Sequence, residues 1–102
     1  MGGDGTLEVQ VERCKGAVVL IPHGEVDLST APVLEDALRQ VIHVSRAPVV
    51  VDLSDLGFLG CRGFGVLAAA RAELSAAGLP LVMTGAQGPV QRVLQVCEDI
   101  GP

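Results

Sequence analysis

Pro48-Val49-Val50-Val51-Asp52-Leu53-Ser54-Asp55-Leu56-Gly57-Phe58-Leu59-Gly60-Cys61-Arg62-Gly63 is the stretch on which the fold turns. Pro48 to Leu53 is valine-rich without alternation, the pattern of a strand covered on both faces. Ser54 to Gly60 reads as a loop. A helix follows from about Cys61 or Arg62 to Ala77, favoured by the helix-forming run Ala68-Ala69-Ala70-Arg71-Ala72-Glu73-Leu74. Gly78 stands where a left-handed residue ends a helix, and Pro80 bars its continuation.

On the N-terminal side, Leu34, Ala37, Leu38, Val41 and Ile42 recur at the spacing of one helical stripe. Ser29, Thr30 and Pro32 supply capping and first-turn residues for that helix. Before it, Leu7, Val9 and Val11 alternate with Glu8, Gln10 and Glu12, as in a strand with one wet face. Cys14-Lys15-Gly16 reads as a turn leading into a second strand, Ala17 to Ile21. On the C-terminal side, Leu79 to Met83 reads as a short buried strand. Gly88-Pro89 opens a last helix with Val90, Val93, Leu94 and Cys97 on one face. The expected order is β-β-α-β-α-β-α: an α/β domain with a mixed sheet of about four strands, spanning 7–102 behind a flexible glycine-rich 1–6.

The 102 residues suit one small domain, and 49% hydrophobic residues supply one core. Twelve acidic residues against seven basic give a net charge of −5, with Lys15 the sole lysine and no Trp or Tyr. Nucleic-acid binding, which needs a basic footprint and stacking rings, is excluded on that balance. Cys14, Cys61 and Cys97 form no C-x-x-C pair, so neither a disulfide scaffold nor a zinc site is expected. No signal peptide and no membrane-length apolar run is read, which implies a soluble, cytoplasmic chain with no direct membrane insertion.

In α/β sheets, function gathers at the carboxyl edge of the strands. Pro22–Thr30, Ser54–Arg62 and Thr84–Pro89 are the loops expected there. Gly60-Cys61-Arg62-Gly63-Phe64-Gly65 opens a helix, but its glycines lack the dinucleotide-binding order and no Gly-Lys-Ser/Thr follows. Tight turning and close helix–sheet packing explain these glycines better. Cys61 as a nucleophile would need a base; His23 is expected on the same sheet edge and His43 on the opposite one. Asp27, Asp52 and Asp55 read as caps for loop N–H groups rather than as a catalytic cluster. A Cys61–Cys97 redox bridge meets a geometric objection, because eight helical residues carry Cys97 about 12 Å from Pro89. No catalytic residue, cofactor or metal is implied.

Gly24-Glu25-Val26-Asp27-Leu28-Ser29-Thr30-Ala31-Pro32, taken with Val50 to Gly63, resembles the STAS domain, and specifically the bacterial anti-sigma factor antagonists. The resemblance runs from the first strand through the last helix and includes Leu79 to Gly85. It implies a regulatory binding module that docks on a serine-kinase anti-sigma factor and frees a sigma factor for transcription. The resemblance places partner contacts at Asp27, Ser29, Thr30, Ser54, Leu59, Gly60, Cys61, Arg62 and Gly63. In the family the kinase phosphorylates a serine at the start of the helix after the third strand, usually within Asp-Ser-Ser/Thr-Gly, and docking is lost. Here the segment reads Gly60-Cys61-Arg62-Gly63, so the acidic residue is missing and Cys61 occupies the phospho-acceptor position. An antagonist without the usual phospho-switch is the expectation. Two other classes share the pattern: an accessory subunit of a lipid or anion transport system, and a thiol redox sensor using Cys61 and Cys97. The resemblance implies a further short strand or helix in many relatives beyond the position of Asp99-Ile100-Gly101-Pro102, and dimerisation stays open.

Overall fold

A computed structural model describes residues 6–100, with side chains through Val96. Most of the segment expected to be flexible, and the last two residues, lie outside the described residues. The elements are β1 (Leu7–Cys14), β2 (Ala17–Val26), α1 (Ala31–Ser45), β3 (Val49–Asp52), β4 (Leu56–Leu59), α2 (Cys61–Ala76), β5 (Leu81–Thr84) and α3 (Gly88–Ile100). The sheet order is β1-β2-β3-β5, with β4 on β2; β1 is antiparallel to β2, and the other pairings are parallel.

Two features depart from the sequence reading. Ser54–Gly60 is not simply a loop, because Leu56–Leu59 forms a fifth strand. β3 pairs with the first half of β2 (Leu20 opposite Val51) and β4 with the second half (Gly24 opposite Leu56, Val26 opposite Leu59). β2 accordingly runs on to Val26, through residues expected to be a loop. The second departure is the valine run of β3. Val49 and Val51 are buried, whereas Val50 and Asp52 are partly exposed, so only one face is covered.

Topology accounts for the one-sided sheet. The connections β2–α1–β3 and β4–α2–β5 advance across the sheet in the same direction, and right-handed crossovers therefore place α1 and α2 on one side. Val18, Leu20, Val26, Val49, Val51, Leu59 and Leu81 point to that side and meet Leu34, Leu38, Leu67 and Leu74. Each such leucine contributes about 2 kcal/mol by leaving water. The stripe expected for α1 is borne out, with Leu34, Leu38 and Val41 buried and Ala37 and Ile42 packed beside them. α2 ends as expected: Gly78 is left-handed (φ 79°), and the N–H of Leu79 reaches back to the carbonyl of Leu74.

Gly63 shows why the start of α2 is glycine-rich. A Cβ there would lie 2.5 Å from Val26 Cγ1 and 2.6 Å from Leu59 Cδ1. Absence of a side chain lets the first turn of α2 sit directly on β2 and β4.

Candidate functional site

The bend from β4 into α2 is anchored from below. Gly60 N–H donates to the Val26 carbonyl at 2.9 Å, and Phe64 N–H donates to Gly60 at 3.0 Å. Cys61 and Arg62 consequently begin α2 at the surface, and both are exposed. Cys61 borders two grooves. One, of about 760 Å³, runs between the starts of α1 and α2 past Leu28, Pro32, Glu35 and Val66. The other, of about 450 Å³, runs to α3 past Pro89, Arg92, Val93 and Val96.

Beside this bend, the turn from β2 into α1 is held by one carboxylate oxygen. Asp27 Oδ1 accepts from Ser29 N–H (3.0 Å), Ser29 Oγ (2.8 Å) and Thr30 N–H (3.0 Å). The Thr30 hydroxyl accepts from Asp27 N–H and lies 2.8 Å from the Glu25 carbonyl. These bonds, led by that from the Ser29 hydroxyl, hold the Asp27 carboxyl below its ordinary range. The same tripeptide, Asp-Leu-Ser, closes β3: Asp52 Oδ1 accepts from Ser54 N–H (3.0 Å) and Ser54 Oγ (2.7 Å). There the Ser54 N–H is the largest cause of a lowered carboxyl pKa, followed by its hydroxyl. Two strand ends are thus built from one local device, the Asx turn.

Asp27, Ser29 and Thr30 stand next to Leu59–Gly63, because Val26 pairs with Leu59. Within that group Thr30, Leu59 and Gly63 are buried and shape the bend from inside, while Ser29, Cys61 and Arg62 face outward. Ser54 falls in another neighbourhood. β4 separates it along the chain from Cys61, and its Cβ lies 3.1 Å from where a Cβ on Gly85 would be. Sequence reasoning missed Leu28, 72% exposed between Asp27 and Ser29, and the α3 residues Arg92, Val93 and Val96. A bulky apolar residue inside a polar turn is the signal by which the sequence marks Leu28.

His23 serves the sheet and not the thiol. Its Nδ1 lies 2.6 Å from Asp55 Oδ2 and its Nε2 lies 3.1 Å from Gln10 Oε1. Both ring nitrogens are engaged, which leaves none to activate Cys61. The three aspartates do not converge either, and among the described residues no group of three His, Cys, Asp or Glu could hold a metal ion. Cys14 and Cys61 are exposed, whereas the Cys97 side chain lies outside the described residues. Among those residues no helix is long and apolar enough to cross a membrane.

Asp27 and Asp52 cap their turns as expected, whereas Asp55 pairs with His23 instead of capping. A one-sided mixed sheet with an exposed bend flanked by grooves has the build of a small α/β binding domain. Residues 9–98 match the sequence model of the family described as "Mlab, STAS domain". The chain belongs to the STAS family. It is 39% identical over 69 residues to the anti-sigma-F factor antagonist RsfB of Mycobacterium tuberculosis; the match covers 68% of this chain and 57% of that relative's length. The structure of an anti-sigma factor antagonist from Mycobacterium paratuberculosis superposes with a TM-score of 0.69 at 28% identity, covering 100% of this chain and 88% of the other. The Bacillus cell fate determinant SpoIIAA in its phosphorylated form shares the fold, with a TM-score of 0.71 at 17% identity over 88% of this chain and 83% of its own.

Proposed function

We propose that this protein is an anti-sigma factor antagonist: it docks on a serine-kinase-type anti-sigma factor in the cytoplasm and releases the bound sigma factor, without the usual serine phospho-switch. The kinship with RsfB supports the partner class. The observation that carries the reading is Cys61, exposed at the first position of α2 between two open grooves. A phosphate at that point would place close to two negative charges in the middle of the outward surface. A cysteine offers an ordinary serine kinase no hydroxyl to phosphorylate. Arg62 adds a positive charge where family members carry a neutral Ser or Thr.

Incubation with the cognate anti-sigma factor and ATP, read by intact-mass spectrometry, tests this. The expected result is no phosphate on the wild type and a single phosphate on Cys61→Ser. Stoichiometric phosphate on wild-type Ser54 or Thr84 would overturn the claim of escape from the switch. Failure of both wild type and Cys61→Ser to bind any such kinase would overturn the partner class.

A further inference from the structure

The side of the sheet away from α1 and α2 carries an ordered surface that the bend at Cys61 does not use. In-register pairing aligns Glu12, Val19, Val50 and Val82 in one row across all four strands of the main path. Paired residues point the same way, so these side chains share the open face. Ile21 continues the apolar centre in the next row, between Gln10 on one side and Asp52 and Thr84 on the other. None of the four apolar side chains is buried, and Val82 is 46% exposed.

Carboxylates outnumber cations around this centre, where Lys15 lies in the turn beyond Cys14 and Ala17. Glu8 and Glu12 lie on β1, Asp52 ends β3, and Asp55 lies 2.6 Å from His23, the residue paired with Glu8. Among the described residues the only lysine or arginine on a strand is Arg13, which pairs with Val18 on the helical side and donates to Ser45 Oγ at 3.1 Å. His23 sits among the carboxylates and offsets at most one of them.

We infer that this open face is a second docking surface, and that its occupant is a basic amphipathic helix of a partner protein. Complementarity of charge selects that occupant. A second copy of the chain laid face to face would oppose its own carboxylates while stripping their water, which disfavours that pairing. An anionic lipid surface is repelled for the same reason. Length agrees with a helix: three strand spacings of about 4.8 Å make a row of about 14 Å, matched by two to three helical turns. Leucine-like side chains at every third or fourth position would lie on Val19, Val50 and Val82, with lysine or arginine flanking them towards Glu12 and Asp52.

The test uses the full chain, isotope-labelled, with a synthetic helix about two heptads long of leucine and lysine. Amide shifts on titration are expected at Val19, Ile21, Val50 and Val82 and not at Cys61–Gly65. Affinity should fall with added salt, and Glu12→Lys should weaken binding by about fivefold to tenfold. Val82→Ser should weaken it without changing the salt dependence, and both substitutions lie at exposed positions. Shifts centred on Cys61, equal binding of a leucine–glutamate helix, or a concentration-dependent dimer that protects Val82 would each overturn the inference.

Discussion

Gly63 and the two Asp-Leu-Ser turns decide the local shape of the molecule. Gly63→Ala would press a methyl group into Val26 and Leu59, and overpacking of this kind costs about 1–3 kcal/mol. A lowered denaturation midpoint with an unchanged slope is the expected outcome in urea. Asp27 and Asp52 link stability to pH. Their folded-state pKa values lie below the ordinary 3.8 of the unfolded chain, so the folded state favours the ionised form. The stabilisation is complete above that value and is lost as pH falls through the lower folded values. Asp52→Asn should therefore flatten the fall in stability below about pH 4 and leave its pH dependence near neutrality unchanged. A thermal-melt series across that range checks this. The capping role of these aspartates was legible in the sequence, since Asp followed two residues later by Ser in a loop suits an Asx turn. Their identical use at two strand ends emerged only with the hydrogen bonds.

Strands explain which elements could be read in advance and which could not. β1 and α1 carry clean periods of two and 3.6 residues, and both form where expected. β4 escaped because Asp55 and Gly57 mimic a turn. The register shift between Gly24 and Glu25 also buries Leu56 and Leu59 three residues apart, which breaks the two-residue period. Val50 misled in the opposite sense, since a valine on the open face looks the same in sequence as one in the core. Its neighbours Val49 and Val51 carry the packing. Val51→Ala should cost about 1–3 kcal/mol, and Val50→Thr well under half as much. Comparing the two unfolding curves distinguishes a sheet covered on one face from one covered on both. Amide exchange should follow the same architecture, slowest in β2 between its partners and fastest in the edge strands β1 and β5.

At the scale of the whole molecule, the winding of the chain sorts its surfaces. Helices α1 and α2 and the Cys61 bend fall on one side, and the carboxylate-rimmed face of the sheet on the other. The candidate site was half legible. Val26 pairing with Leu59 joins the Asp27 and Cys61 segments as expected, whereas the added strand sets Ser54 apart and α3 contributes Arg92, Val93 and Val96, none of which the sequence marked as bordering the bend. In the proposed function, the surface around Cys61 is where an anti-sigma factor docks and where negative charge is not tolerated. Calorimetric titration of the cognate anti-sigma factor with wild type, Cys61→Ser and Cys61→Asp measures this directly. Serine should bind like cysteine, and aspartate at least about tenfold more weakly, a difference of about 1.4 kcal/mol. Aspartate binding as tightly as wild type, with the fold intact, would rule out docking at this surface.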